Sequence, residues 1–254
     1  MVDSNGVDSS WINEYFGEEY LRLYQFPPER TSPEVHFVDR ELRRRESGLN
    51  MLDLCCGQGR HAVPLAKHGW QVTGLDLQPH LLTHAEELAK EYVVSVKWIQ
   101  GDMRKLPFDE EFDAVINLFT AFGYFDDAEN AGVIREVSRV LKPGGWFVID
   151  VANRPFLLKN TIPVSEKILP DGTVVKNDWR WDERSGRYTH QQRILREGEK
   201  PKDLSHSVRV YSTDELAGML FDANFIIDSL NGGFHGEKLN VDAPRLVVIA
   251  QKQF

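Results

Sequence analysis

The chain has 254 residues, 41% of them hydrophobic, and a formal net charge of −9. That length can bury a full core as one domain with an insertion, or as one large and one small lobe, and the acidic balance argues against non-specific nucleic-acid binding. No apolar run approaches a membrane span, and the opening Met-Val-Asp-Ser-Asn-Gly lacks the basic-then-apolar pattern of a signal peptide, so a soluble, cytoplasmic protein is expected.

Residues 8–49 read as helical and precede the first strand. Trp11, Tyr15, Phe16, Tyr20, Leu23 and Tyr24 recur at roughly helical spacing. Phe26-Pro27-Pro28 breaks that pattern, and a new helix is expected from Thr31-Ser32-Pro33-Glu34, with Val35, Val38 and Leu42 on one face. These aromatic residues either pack against the core or form a lid over a ligand mouth, with Tyr20 or Tyr24 reaching in. The run Arg43-Arg44-Arg45 is flanked by Asp39, Glu41 and Glu46 and reads as a solvated helix face.

Residues 50–55 form a short apolar strand with Asp53 as its single charge, and residues 61–68 read as a helix. Between them, Cys55-Cys56-Gly57-Gln58-Gly59-Arg60 makes a strand-to-helix turn. Its glycines permit unusual dihedrals and close approach to a ligand, and the free N–H groups that follow favour polar or anionic groups. Cys55 and Cys56 are the only cysteines, which argues for a reducing compartment and against a disulfide framework or a metal site. Taken alone, Gly57-x-Gly59-x-x-Ala62 also fits a dinucleotide fingerprint. Asp76 closes the second strand, where a carboxylate accepts hydrogen bonds from the two hydroxyls of a ribose. The turn therefore points to an adenosine-containing cofactor and leaves its identity open.

A helix starts at Pro79, a third strand ends before Gly101-Asp102-Met103, and a fourth covers residues 111–117. After the loop of residues 118–125, Asp126 or Asp127 can cap a helix that Pro143-Gly144-Gly145 stops, and a fifth strand covers residues 146–151. Near-continuous apolar strands alternating with amphipathic helices imply a parallel sheet covered on both faces. Residues 160–211 break this rhythm and read as an antiparallel β insertion, with Val175, Asn177, Trp179 and Trp181 on one strand face and His190 and Gln192 on the next strand. Ser212-Thr-Asp-Glu215 is a capping box that starts the last helix, and two strands follow it.

Together these features resemble the class I S-adenosylmethionine-dependent methyltransferases. Asp53-Leu-Cys-Cys-Gly57-Gln-Gly59 is similar to the family's glycine motif, with Cys55 at a position usually held by glycine. Asp76 fits the ribose-binding acid, Gly101-Asp102-Met103 fits the adenine-binding segment, and Leu141-Lys-Pro-Gly-Gly145 resembles the turn into the fifth strand. The resemblance implies a doubly wound, Rossmann-like, mostly parallel seven-stranded sheet in residues 50–159 and 212–254. A helical lid (1–49) and the β insertion (160–211), an acceptor lid or a dimer contact, would flank it.

For the cofactor, S-adenosylmethionine, the resemblance and the chemistry together point to Asp53, Cys55, Gly57, Gly59, Asp76 with Leu77, Asp102 with Met103, and the backbone near Asn117 and Leu118; Tyr24 reaches in from the lid. Asp53 suits an ammonium group, Asp102 the adenine amino group, and no metal is expected. The implied reaction is in-line methyl transfer to a small-molecule acceptor, leaving S-adenosylhomocysteine. Tyr124, Asn153, Arg154 and Trp179 are candidate acceptor-pocket residues, and no catalytic base is identified. The expected assembly is a monomer or homodimer. An RNA or protein acceptor, a nicotinamide-dependent oxidoreductase and a non-catalytic cofactor-binding module are the competing readings.

Overall fold

The computed structural model describes residues 10–24 and 26–254, so the expected start of the helical segment at residues 8 and 9 lies outside it. In chain order the elements are α1 (Ser10–Tyr15), α2 (Glu18–Leu23), α3 (Pro28–Arg44), β1 (Asn50–Leu54), α4 (Ala62–Lys67), β2 (Gln71–Asp76), α5 (Pro79–Glu91), β3 (Lys97–Gln100), β4 (Phe112–Asn117), α6 (Asp127–Val140), β5 (Leu141–Ala152) and α7 (Arg154–Asn160). Then come β6 (Val164–Ile168), β7 (Val174–Asp182), β8 (Arg187–Leu195), β9 (Lys202–Arg209), α8 (Thr213–Asp222), β10 (Phe225–Asn231) and β11 (Arg245–Lys252).

Local chemistry explains the helix starts. The Asp126 carboxylate accepts the Glu129 N–H at 2.8 Å and caps α6. Ser212 and Glu215 form the reciprocal capping box of α8. The first helical stretch divides at Gly17, which is extended at the start of α2. The helix expected from Thr31 starts earlier, because Pro28 sits in its first turn, where a missing N–H costs nothing. The helix expected to run up to Pro143-Gly144-Gly145, α6, ends at Val140, and β5 begins at Leu141, before that turn.

The main sheet has seven strands in the order β10-β11-β5-β4-β1-β2-β3. The pairs β1–β2, β2–β3, β1–β4 and β4–β5 are parallel, whereas β11 runs antiparallel to both β5 and β10. The chain winds outward from β1 to β3 and then returns to β4 on the other side of β1. That reversal opens a crevice beyond the carboxyl ends of the strands. Met51, Leu52, Ala114, Val115, Ile116, Val148 and Ile149 are buried, as expected for strands covered on both faces.

The insertion is a four-stranded antiparallel sheet, β6-β7-β8-β9. Its inward positions alternate as expected: His190 and Gln192 are buried, whereas Gln191 and Arg193 are exposed. Val175, Ile194 and Leu204 on this face pack with Tyr15 and Leu23 of the N-terminal helices. Farther along the same sheet, Tyr188 and Val208 cluster with Val210, Tyr124 and Leu157.

One backbone joint sets the insertion against the main sheet. The Gly123 carbonyl accepts the Arg209 N–H at 2.7 Å, and the Arg187 guanidinium donates to the Phe125 carbonyl at 2.9 Å. Gly123 has φ +105°, and a Cβ there would stand 2.5 Å from the Arg209 carbonyl oxygen. Gly123→Ala is therefore expected to lower stability by about 1–3 kcal/mol in urea denaturation. A change below about 0.5 kcal/mol would show that this joint does not constrain the insertion.

Candidate functional site

The site begins at the turn after β1. Cys55, Gly57 and Gly59 all have left-handed φ values, +63°, +54° and +79°. The two glycines serve different ends. A Cβ on Gly59 would stand 2.9 Å from the Trp98 ring and 3.0 Å from the Ala85 Cβ, so Gly59 permits close packing behind the turn. A Cβ on Gly57 would meet nothing within 4 Å, so that glycine supplies conformation on the open side. Asp76, at the end of β2, ties the turn down: its carboxylate accepts the Gly57 N–H at 2.8 Å and the Gln78 N–H at 2.9 Å. Burial pushes the Asp76 carboxyl up, and those two N–H groups oppose the shift.

Beyond the strand ends lies a cleft of ≈ 330 Å³. Cys55, Gly57, Asp76, Leu77, Asp102, Met103 and Leu118 line it. Tyr20, Tyr24 and Phe26 of the N-terminal segment line it too, as do Trp179, Tyr188 and His206 of the insertion and Tyr124 of the loop after β4. Asp102 pairs with Arg104 at 2.7 Å and also accepts the Arg104 backbone N–H, so it caps its own turn while facing the cleft. Phe119 and Thr120, consecutive residues without glycine's freedom, have φ +64° and +58°. Asp150 holds them there: its carboxylate accepts the Phe119 N–H at 2.8 Å, its carbonyl accepts the Thr120 N–H at 3.0 Å, and Arg245 pairs with it at 2.6 Å.

Thus Tyr24, Cys55, Gly57, Asp76, Leu77, Asp102, Met103, Leu118, Tyr124 and Trp179 are brought to one cleft. Asp53, Gly59, Asn117, Asn153 and Arg154 are not part of its lining. Asn153 is buried and donates to the Asn240 and Ala243 carbonyls at 2.8 and 2.7 Å, so it pins the loop before β11. Arg154 pairs with Glu215 at 3.1 Å and lies over the Trp181 ring. Asp53 and Asn117 sit immediately behind the turn. Asp53 is 1% exposed and its Oδ2 has no partner among the described residues; the Asn117 amide donates to the Leu54 carbonyl at 3.1 Å, leaving its Oδ1 likewise without one among them. Burial pushes the Asp53 carboxyl up to about 7, against the pull of Arg60.

The sequence gives little sign of several lining residues. Arg60 is adjacent to the glycine turn, but nothing local marks it as facing the cleft. His206 is placed by the β8–β9 register, in which it pairs with His190. Burial lowers the His206 pKa to about 4, and burial together with His206 lowers that of His190 to about 3, so both rings are neutral near neutral pH. Trp179 stacks on His190 with ring centres 3.5 Å apart, and the Tyr15 and Tyr24 hydroxyls are 2.8 Å apart. Among the described residues, no group of three or more His, Cys, Asp or Glu side chains could hold a metal ion, and no helix is long and apolar enough to cross a membrane.

Residues 51–145 match a family model described as a methyltransferase domain. A putative methyltransferase, YqeM, of Bacillus subtilis is 27% identical over 80% of this chain and 83% of its own length. The dTDP-3-amino-3,4,6-trideoxy-alpha-D-glucopyranose N,N-dimethyltransferase of Streptomyces venezuelae is 25% identical over 79% of this chain and 85% of its own. Among solved structures, the CcbJ methyltransferase of Streptomyces caelestis superposes with a TM-score of 0.80 at 20% identity, covering 94% of this chain and 98% of that one.

A ligand ammonium seated at Asp53 requires the ionised carboxylate, whose pKa in the free protein is about 7. Such a ligand lowers that pKa, so binding releases a proton and affinity rises with pH until the free carboxyl is ionised. S-adenosylhomocysteine is expected to bind about tenfold more weakly at about pH 6 than at about pH 8 by calorimetry, and Asp53→Asn to remove that slope. A pH-independent affinity in the unaltered protein would remove Asp53 from the ammonium site.

Proposed function

We propose that this chain, which belongs to the class I S-adenosylmethionine-dependent methyltransferases, methylates a small-molecule acceptor held in the aromatic half of its cleft. The observation that carries this reading is the continuity of the cleft. Asp76 and Asp102 line the same cleft as Tyr124, Trp179 and His206. When bound there, S-adenosylmethionine would supply a methyl group already activated by its sulfonium.

The protein's own residues then have mainly to bind, align and exclude water. Asp76 accepts hydrogen bonds from the ribose hydroxyls with the lone pairs its backbone donors leave free. Asp102 would take the adenine amino group, and the Met103 N–H would donate to the ring. Asp53 Oδ2 and Asn117 Oδ1, buried and without a donor among the described residues, fit the ammonium of the methionine arm. Tyr20 and Tyr24 from the N-terminal segment, with Trp179 and Tyr188 from the insertion, close over the reacting atoms as a lid. His206, neutral and lining the cleft, can accept a hydrogen bond from a nucleophile that arrives protonated.

A small acceptor is favoured because the acceptor half is walled by both the N-terminal segment and the insertion, which leaves a pocket rather than an open face. The Streptomyces venezuelae relative, named for an amino-sugar nucleotide, is consistent with that class. Asp76→Ala is expected to weaken S-adenosylhomocysteine binding at least about tenfold while cooperative unfolding is retained. Unchanged affinity by calorimetry would take Asp76 out of the site. Trp179→Ala is expected to reduce methyl transfer to an identified acceptor more than it reduces cofactor affinity; loss of cofactor affinity alone would place the insertion over the wrong ligand.

A further inference from the structure

A run of buried hydrogen bonds leads from the insertion to the cleft, and its direction is fixed at the far end. Asn177 Oδ1, on β7, accepts from Gln192 Nε2 at 3.1 Å and lies 3.0 Å from His190 Nε2. The His190 nitrogen that faces this oxygen therefore carries a hydrogen. Burial and His206 lower the His190 pKa to about 3, so near neutral pH that hydrogen is the only one on the ring. Nδ1 is left bare, 3.4 Å from the Tyr15 hydroxyl. Trp179 lies flat on the imidazole, ring centres 3.5 Å and planes 2° apart, and holds the ring in that plane.

Tyr15, 4% exposed, then has one arrangement that serves both of its neighbours. Its O–H donates to His190 Nδ1, and its oxygen accepts the Tyr24 O–H at 2.8 Å. Tyr24 lines the cleft. With its hydrogen committed to Tyr15, the Tyr24 oxygen has only lone pairs left to offer, and the Gln192 amide is also within reach of it.

Tyr24 packs on Tyr20 with ring centres 4.8 Å apart. Tyr20 and Tyr124 are each close enough to both Tyr24 and Asp76 for charge there to act on them. In the cofactor reading Asp76 takes the ribose, and the buried oxygens of Asp53 and Asn117 take the ammonium. The ligand's sulfur is bonded between those two parts. A phenol oxygen that offers only lone pairs there attracts a sulfonium more than a neutral thioether.

We propose that Tyr15 and His190 are positioning residues that turn the Tyr24 hydroxyl hydrogen away from the cleft, so that Tyr24 favours a ligand charged at sulfur over its neutral product. The inference rests on the S-adenosylmethionine reading and extends it to two residues outside the glycine turn, one on α1 and one on the insertion. Binding of the reactive form of the ligand is thereby tied to the docking of those two elements on each other.

The test is calorimetric titration, without a methyl acceptor, of the unaltered protein, Tyr24→Phe, Tyr15→Phe and the double variant. The ligands are S-adenosylmethionine and S-adenosylhomocysteine, which differ at sulfur by a methyl group and a positive charge. Tyr24→Phe is expected to weaken S-adenosylmethionine binding between about threefold and about tenfold, and S-adenosylhomocysteine by less than about twofold. Tyr15→Phe, which frees the Tyr24 hydrogen to turn toward the cleft, is expected to do the same and to add nothing in the Tyr24→Phe protein. If Tyr15→Phe fails to fold, His190→Phe, which keeps a ring against Trp179 and removes Nδ1, decides by the same comparison. Equal loss for both ligands, no loss for either, or an undiminished effect in the Tyr24→Phe protein would make Tyr15 and His190 packing residues and overturn the inference. Unaltered protein that binds neither ligand would overturn the cofactor reading and this inference together.

Discussion

The grip of the Asp76 carboxylate on the Gly57 and Gln78 N–H groups is the constraint on which the site depends. Three residues of the turn after β1 sit in the left-handed region, and one of them, Cys55, is not a glycine. Each such non-glycine residue costs about 1–2 kcal/mol unless its surroundings hold it. The Asp76 side chain and the Cys56 N–H, which donates to the Leu75 carbonyl at 3.0 Å, hold the turn against β2. The carboxylate at the strand end therefore fixes the shape of the cleft and also offers it acceptors.

A second layer of order comes from the opposite wall. Asp150, buried in β5, imposes left-handed geometry on Phe119 and Thr120 while neutralising Arg245. This aims Phe119 at Arg60 and Phe26. The N-terminal helices and the insertion then complete the cleft with aromatic side chains, in a largely desolvated setting where Tyr15, Tyr20, Tyr24 and Tyr124 all have raised pKa values. Neutral phenols and neutral imidazoles in such a setting offer hydrogen bonds and ring faces rather than charge.

The parts legible in the sequence are those whose signal is local. The alternation of apolar strands with capped helices defines the sheet, and the acid closing β2 meets the glycine turn because β1 and β2 are neighbouring strands. The period-2 pattern of β7 and β8 also places Trp179 and His190 on the inward face. Less legible were residues whose partners come from far along the chain. Asn153 and Arg154 stand just past a strand end, where acceptor residues are expected, yet Asn153 is claimed by the loop carrying Asn240 and Ala243, and Arg154 by Glu215 of α8. His206 is brought to the cleft by hairpin register, which no local pattern specifies. Arg60 lines the cleft paired with Glu34 of α3, a partner that no local pattern specifies. The sequence also leaves one ambiguity at the turn itself, since a glycine-rich strand-to-helix connection followed by an acid serves nicotinamide dinucleotides as well.

The most direct measurement removes that ambiguity: calorimetric titration of the purified protein, stripped of co-purified ligand, with S-adenosylhomocysteine and separately with NADH. Saturable one-to-one binding of S-adenosylhomocysteine without binding of NADH is the result this account predicts. Binding of NADH without S-adenosylhomocysteine would contradict it, because the cleft's Asp102 and the buried oxygens of Asp53 and Asn117 would then have no ligand to serve.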